Sequence, residues 1–237
     1  MNFSKRSTGV ELMDNPNMEF EVLAAAYKDI NRCNNLLGGI AITRKAVWSL
    51  VKLDISKSYT ILDMGCGDGT MLREISRFLS KNSVSHHMIG IDLRDDVLRI
   101  ARENSAEFHN LEFRKMDILK ADASLSCDIL INTLTMHHFE ADRIEAFLNK
   151  FISLAKVGVV INDLQRSKLA YYLFWVFGFF FIRTGVAKHD GLVSIRKGFR
   201  KHELLALSKK IPIVMHKIQW KWAFRYVWIM KFNRQKL

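Results

Sequence analysis

A chain of 237 residues, 49 % hydrophobic with mean hydropathy near zero and two prolines, suits one large α/β domain with a substantial core. Its three cysteines, Cys33, Cys66 and Cys127, are odd in number and lack C-x-x-C spacing, which argues against a disulfide framework or a zinc site and fits a reducing cytoplasm. The net charge of +12 belongs to the last third: residues 166–237 carry 16 Lys and Arg against two acidic residues, whereas the preceding 165 carry 20 against 22.

The opening Met1-Asn2-Phe3-Ser4-Lys5-Arg6 lacks the apolar run of a secretory signal, and no stretch of about 20 apolar residues is present to span a bilayer. Disorder is expected only in the first dozen residues and the last few. The spacing of Leu23, Tyr27, Ile30 and Cys33 predicts a helix over 17–35, with Asn15 or Asn17 as its cap, and Gly38-Gly39 ends it. A second helix is expected from about Thr43 to Lys52. These residues, 1–54, form a helical extension, and 55–237 form the main domain.

A strand beginning near Ser58 runs into Ile61-Leu62-Asp63-Met64-Gly65-Cys66-Gly67-Asp68-Gly69-Thr70. Glycines at 65 and 67 keep side chains away from a ligand and permit a tight turn from strand to helix. The spacing is wrong for a dinucleotide, because G-x-G-x-x-G needs glycine at 70, where Thr stands. A phosphate-binding loop is also disfavoured, since no lysine follows and Asp63 and Asp68 would repel a pyrophosphate. S-adenosylmethionine has no phosphate and carries an ammonium and a sulfonium, so a carboxylate beside the turn suits it.

Beyond the loop the elements alternate. A helix is predicted over Thr70–Leu79, a strand over Met88–Asp92, a helix over Asp95–Asn104, strands over Leu111–Asp117 and Cys127–Thr133, a helix over Ala141–Ala155 and a strand over Gly158–Asp163. Alternation of this kind implies a mostly parallel, doubly wound sheet, with ligands at the carboxyl ends of its strands. Asp63, Asp92, Asp117, Asn132 and Asp163 all fall there.

The ordered set of Asp63-x-Gly65-x-Gly67-x-Gly69, Asp92, Asp117 and the segment ending Met136-His137-His138 resembles the class I, seven-strand S-adenosylmethionine-dependent methyltransferases, in their small-molecule and quinone branch. The likeness covers roughly residues 55–165. It implies a Rossmann-like sheet of seven strands and S-adenosylmethionine as cofactor. The residues it implies for the cofactor are Asp63, Gly65, Cys66, Gly67, Gly69, Asp92, Leu93, Met116, Asp117, Ile118 and Asn132, with Asp92 on the ribose hydroxyls and Asp117 facing the adenine amino group. The chain departs from that branch at Leu154-Ala155-Lys156-Val157-Gly158, where a Leu-Lys-Pro-Gly-Gly turn is usual. Its Asn162-Asp163-Leu164-Gln165-Arg166 and His189-Asp190-Gly191 segments resemble instead a bacterial subgroup associated with polyketide, phenolic-lipid and pigment synthesis.

Residues 169–182 are 14 in number and eight of them are aromatic, flanked by Lys168 and Arg183. A helix apolar on every side, placed after the fifth strand, is expected to roof an acceptor pocket as part of a lid insertion at about 166–200; a helix buried against the core is the plainer reading. Contact with a membrane surface or an acidic carrier protein would add to the lid role and not replace it. A basic stretch, Arg196 to Lys201, leads into a helix ending near Lys210, and 211–220 and 222–231 resemble the family's closing antiparallel strand pair.

For chemistry, His138, His189, His137 and Asp163 are the candidate proton acceptors, because a histidine titrates near working pH and suits a phenol or enol. No metal is expected, since Asp163 stands next to Asn162 with no second aspartate beside it. Three functions stay open: O-methylation, ahead of C-methylation, of a hydrophobic small molecule such as a phenolic polyketide, lipid or quinone precursor; methylation of RNA or protein through the basic third; and an inactive S-adenosylmethionine-binding partner subunit. Nucleic acid ranks behind a small molecule, because Asn132-Thr133-Leu134-Thr135 lacks the prolines and aromatic residue expected for base amino groups. The expected location is the cytoplasm, with peripheral membrane contact as an addition.

Overall fold

The computed structural model describes residues 2–212 and 214–232. Seven strands form one sheet in the order β3-β2-β1-β4-β5-β7-β6. These are β1 (Tyr59–Met64), β2 (His86–Asp92), β3 (Leu111–Lys115), β4 (Cys127–Thr133), β5 (Ala155–Leu164), β6 (Met215–Lys221) and β7 (Arg225–Lys231). β1 to β5 pair in parallel and β7 lies antiparallel between β5 and β6, as the closing strand pair requires. The chain order reverses between β1 and β4, and a reversal of this kind opens a crevice at the carboxyl ends of those two strands.

Strand alternation divides the core in two. Ile61, Met88, Ile129, Ile131 and Val160 face α2 (Gly39–Val51), α3 (Thr70–Lys81) and α4 (Asp95–Glu103); their neighbours Leu62, Ile89, Leu130, Val159 and Trp228 face α5 (Ile144–Leu154) and α8 (Lys201–Lys209). Each such side chain contributes about 1.5–3 kcal/mol by leaving water. In α3 the buried Met71, Leu72, Ile75 and Leu79 form one stripe, the pattern that locks an amphipathic helix onto a sheet.

Element ends differ from expectation for local reasons. The first helix, α1, spans Phe20–Leu36, and Gly38, at φ 74°, turns the chain straight into α2 four residues before the expected start. β5 begins at Ala155, paired with Cys127 across a register shift, so the strand starts where the preceding helix was expected to end, three residues before Gly158. The expected lid is two helices, α6 (Lys168–Phe181) and α7 (Gly185–Lys197), with Gly198 separating the latter from α8. The last strand pair starts at Met215, so 211, 212 and 214 lie outside it.

The first dozen residues are not a frayed end. Phe3 is buried with its ring edge-on to Tyr171, and Arg166, itself buried, donates to the Phe3 and Gly198 carbonyls at 3.0 and 2.6 Å. Ser7 N–H donates to the Arg196 carbonyl, and both oxygens of Asp190 accept from the Leu12 and Met13 N–H groups at 2.7 and 2.8 Å. Residues 2–14 are thus strapped across α7. The frayed end expected at the carboxyl terminus falls on 233–237, outside the described residues.

Candidate functional site

β1 delivers Asp63 and Met64 into the crevice, and the chain then turns through Gly65 and Gly67, both with positive φ (81° and 54°). A Cβ on Gly65 would lie 2.5 Å from Thr135 Cγ2, and one on Gly67 would lie 2.9 Å from the Tyr27 ring. Only glycine fits a backbone that is both left-handed and this close to its neighbours. Thr135 and Tyr27 therefore pack directly on the loop's main chain. Gly69 follows as the left-handed cap of α3.

Asp92 ends β2 beside that loop. Its Oδ2 accepts from Gly67 N–H at 3.0 Å and its Oδ1 from Arg94 N–H at 3.1 Å, so backbone donors hold the carboxylate in place. Burial pushes its pKa up, against the pull of those donors. Asp63 is more extreme: it is 2 % exposed, Oδ1 has no hydrogen-bond partner, and burial followed by repulsion from Asp92 raises its pKa to about 8. Asn132, fully buried at the end of β4, donates to the Met64 carbonyl at 2.6 Å and leaves its own Oδ1 without a partner. Two orphaned acceptors thus stand at the strand ends beside the glycine loop, a lining that seeks a cationic or hydrogen-donating guest.

The other expected cofactor positions divide. Cys66 is a buried free thiol whose pKa burial drives well up, and Leu93 is exposed beside Asp92. Met116 N–H donates to the Asp92 carbonyl at 2.9 Å, tying β3 to β2. Asp117 caps the short turn after β3 by accepting from Leu119 N–H at 2.9 Å, and Ile118 is packed in the core beneath it. Tyr27 was legible only as one member of the apolar stripe of α1. Its ring lies over Gly67, and burial, with the nearby Asp92 and Asp68 carboxylates, raises its phenol well above the ordinary value.

Of the candidate proton acceptors, the structure brings His137 and Asp163 together. His137 Nδ1 lies 2.7 Å from Asp163 Oδ1 and its N–H donates to Oδ2 at 3.0 Å, with both side chains buried. Burial opposes ionisation of Asp163, yet His137 and the backbone donors outweigh it and hold the carboxyl below its usual range. Donation from Nδ1 leaves Nε2 with the lone pair, and no hydrogen bond reaches that buried atom. His138 lies between Glu11 and Asp14, at 3.6 Å from each. Burial would lower its pKa, but those two carboxylates reverse the sign and raise it. His189 belongs to another group: it bonds Asp190 at 2.8 Å and lines a groove between α6 and α7 with Phe174, Trp175 and Phe179.

Glu11, Arg6 and Lys197 complete the His137 environment and carry no local sequence signal. Arg6 donates to the His137 carbonyl at 2.6 Å, and Lys197 Nζ lies 3.2 Å from Glu11 Oε1. Glu11, His137 and His138 each offer a ligand atom within 4.8 Å of the others, and the Lys197 ammonium supplies the positive charge at that cluster.

Residues 61–158 match the methyltransferase-domain family and are thus similar to a methyltransferase domain. The carboxy-S-adenosyl-L-methionine synthase of Campylobacter fetus subsp. fetus is 30 % identical over 130 residues, which are 53 % of this chain and 53 % of that one, so the chain spans about half the length of that relative. Among solved structures, the plantazolicin methyltransferase BpumL with SAH superposes at a TM-score of 0.65 with 16 % identity, covering 90 % of this chain and 96 % of that one. Magnesium protoporphyrin IX methyltransferase from Synechocystis PCC 6803, also with SAH, gives 0.60 and 13 %, covering 90 % and 94 %. At these identities the structural likeness speaks for the fold.

The lining of the crevice fits S-adenosylmethionine: Asp63 Oδ1 and Asn132 Oδ1 are buried acceptors without donors. Asp92→Ala is expected to weaken cofactor binding by about 10- to 100-fold, since hydrogen bonds to a charged group contribute about 1.5–3 kcal/mol. It should also cost roughly 1 kcal/mol of stability, because Gly67 and Arg94 N–H lose their acceptor. Calorimetric titration that finds unchanged affinity would refute the ribose assignment.

Proposed function

We propose that the protein transfers a methyl group from S-adenosylmethionine to an oxygen of a hydrophobic small molecule, a phenol or enol. The observation that carries this reading is the buried His137–Asp163 pair at the carboxyl edge of β4 and β5, on the same sheet edge as the Asp63–Asp92 crevice. Asp63, Asp92, Asn132 and the glycine loop would hold the cofactor, which supplies an electrophilic methyl on a sulfonium when bound. The chain then has two tasks: to hold the acceptor oxygen in line, and to take its proton. Orientation can supply about 7–11 kcal/mol of the barrier and a positioned base a further 10²–10⁴-fold.

We assign the proton to His137 Nε2. Asp163 accepts from Nδ1 and so leaves the lone pair on Nε2, which lies 3.8 Å from Glu11 Oε1. The aromatic helix α6 and its partner α7 give the acceptor an apolar approach. The RNA or protein alternative rests on the basic last third alone, and a binding-only role rests on no feature of the crevice.

The test is to incubate the purified chain with S-adenosylmethionine and a panel of alkylphenols, quinols and pyrones, and to read products by mass spectrometry. A gain of one CH2 on a phenolic or enolic acceptor, lost in His137→Gln with cofactor binding retained, is the expected result. Cofactor binding without methylation of any small molecule, or methylation of RNA that survives physiological salt, would overturn it.

A further inference from the structure

α6 uses one side only. Ala170, Tyr171, Phe174 and Phe177 pack toward α7, Phe3 and Phe224, while the other side leaves Tyr172 57 %, Trp175 62 %, Phe179 73 % and Phe180 71 % exposed. No charged residue interrupts this face between Lys168 and Arg183. The β6–β7 turn extends it: Trp222, 63 % exposed, lies 5.5 Å ring to ring from Phe224, which packs in the same small cluster as Tyr171 and Phe174. At about 200 Å² per aromatic side chain, the exposed part of Tyr172, Trp175, Phe179, Phe180, Phe181 and Trp222 comes to roughly 700 Å², beyond what a soluble monomer commonly leaves in water.

The exposed charges at the two ends of α6 are both positive, and the Asp29 carboxylate at its carboxyl end is buried and accepts from the Arg183 and Thr184 N–H groups. Lys168 and Arg183 stand exposed at the two ends of α6, Lys217 and Lys221 lie on β6, and Lys168 and Arg200 line an open cleft at the start of the helix. The two acids of residues 166–237 are both engaged internally, Asp190 with the Leu12 and Met13 N–H groups and Glu203 with Arg166. A 14-residue helix is about 21 Å long, too short for a hydrocarbon core of about 30 Å, so α6 can lie in an interface but not cross it. Exposed Trp, Tyr and Phe framed by Lys and Arg are the composition that enters the headgroup region of an anionic bilayer.

We propose that this face, α6 together with the Trp222 turn, docks the protein on an anionic lipid bilayer. A second copy fits it less well. Both ends of α6 carry a cation, so packing two such faces together in either direction sets like charges against each other. The surface stands independently of the acceptor assigned above.

The experiment is co-sedimentation of the full chain with phosphatidylcholine vesicles and with phosphatidylcholine–phosphatidylserine vesicles, alongside light scattering without lipid. Binding to the mixed vesicles should exceed binding to phosphatidylcholine at least tenfold and shrink as salt rises. A Phe179→Ser/Phe180→Ser variant should lose tenfold or more of that binding with an unchanged melting temperature and unchanged cofactor affinity, since neither ring packs in the core. The proposal falls if the wild type ignores mixed vesicles, if it binds both vesicle types equally at low salt, or if it forms a dimer in solution that the double variant dissociates.

Discussion

Asp63→Asn is expected to make the free protein more stable at alkaline pH while weakening cofactor binding at least 100-fold. Burial, and then Asp92, raise the Asp63 carboxyl to about 8, whereas in the unfolded chain it ionises near 4. A carboxyl harder to ionise in the folded than in the unfolded state favours unfolding as pH rises. The penalty begins near pH 4 and is complete above about pH 8, amounting to a few kcal/mol at most after local relaxation. Asparagine removes it, so the variant should melt about 5–10 °C higher than wild type near pH 9, with the two curves converging near pH 4.

Binding runs the other way. A cationic ligand favours the ionised carboxylate, so wild-type affinity should rise with pH up to about 8, by as much as tenfold per unit, with release of up to one proton. Calorimetry in buffers of different ionisation enthalpy, kept below about pH 7.5 where the ligand's own ammonium stays protonated, reads that proton directly. Parallel stability curves would show that folding does not make Asp63 harder to ionise, and equal cofactor affinity would show that Asp63 does not face the cofactor.

The frame of this domain was legible because its signals are local. Four of the five parallel strands contain a short apolar run, Asp63, Asp92, Asn132 and Asp163 stand at or next to strand ends, and the glycine loop is contiguous. The His137 environment was not, since it is assembled over distance: Arg6 and His137 are 131 positions apart, and the opening residues carry no period that would mark them as a strap over α7. Tyr27 shares the helical spacing of Leu23 and Ile30, so pattern alone could not separate a core residue from one lying over Gly67. The run 169–182 failed in a related way. A helix apolar all round has no polar face to show which side is buried, and here the answer came from α7, which covers one side and leaves the other in water.

Asp163→Asn should be among the most destabilising single changes in the chain, costing about 3–5 kcal/mol, which for a protein of this size is roughly 6–20 °C in melting temperature. Asp163 accepts from His137 and is also the counter-charge for two further cations. Arg225 is buried, its Nε and Nη1 have no hydrogen-bond partner, and burial lowers its pKa to about 10 against the opposing pull of Asp163. Arg6 is lowered by burial and supported by the same carboxylate. His137→Ala should cost less, about 1–3 kcal/mol, because the backbone N–H groups of residues 137 and 164 still reach Asp163. Since the Asp163 carboxyl is held below its usual range, its contribution is full above about pH 4 and is lost as pH falls through its folded value. The gap between wild type and Asp163→Asn should therefore be wide at neutral pH and close in acid. A His137→Ala variant as unstable as Asp163→Asn would mean that the imidazole, not the shared carboxylate, holds this edge of the sheet together.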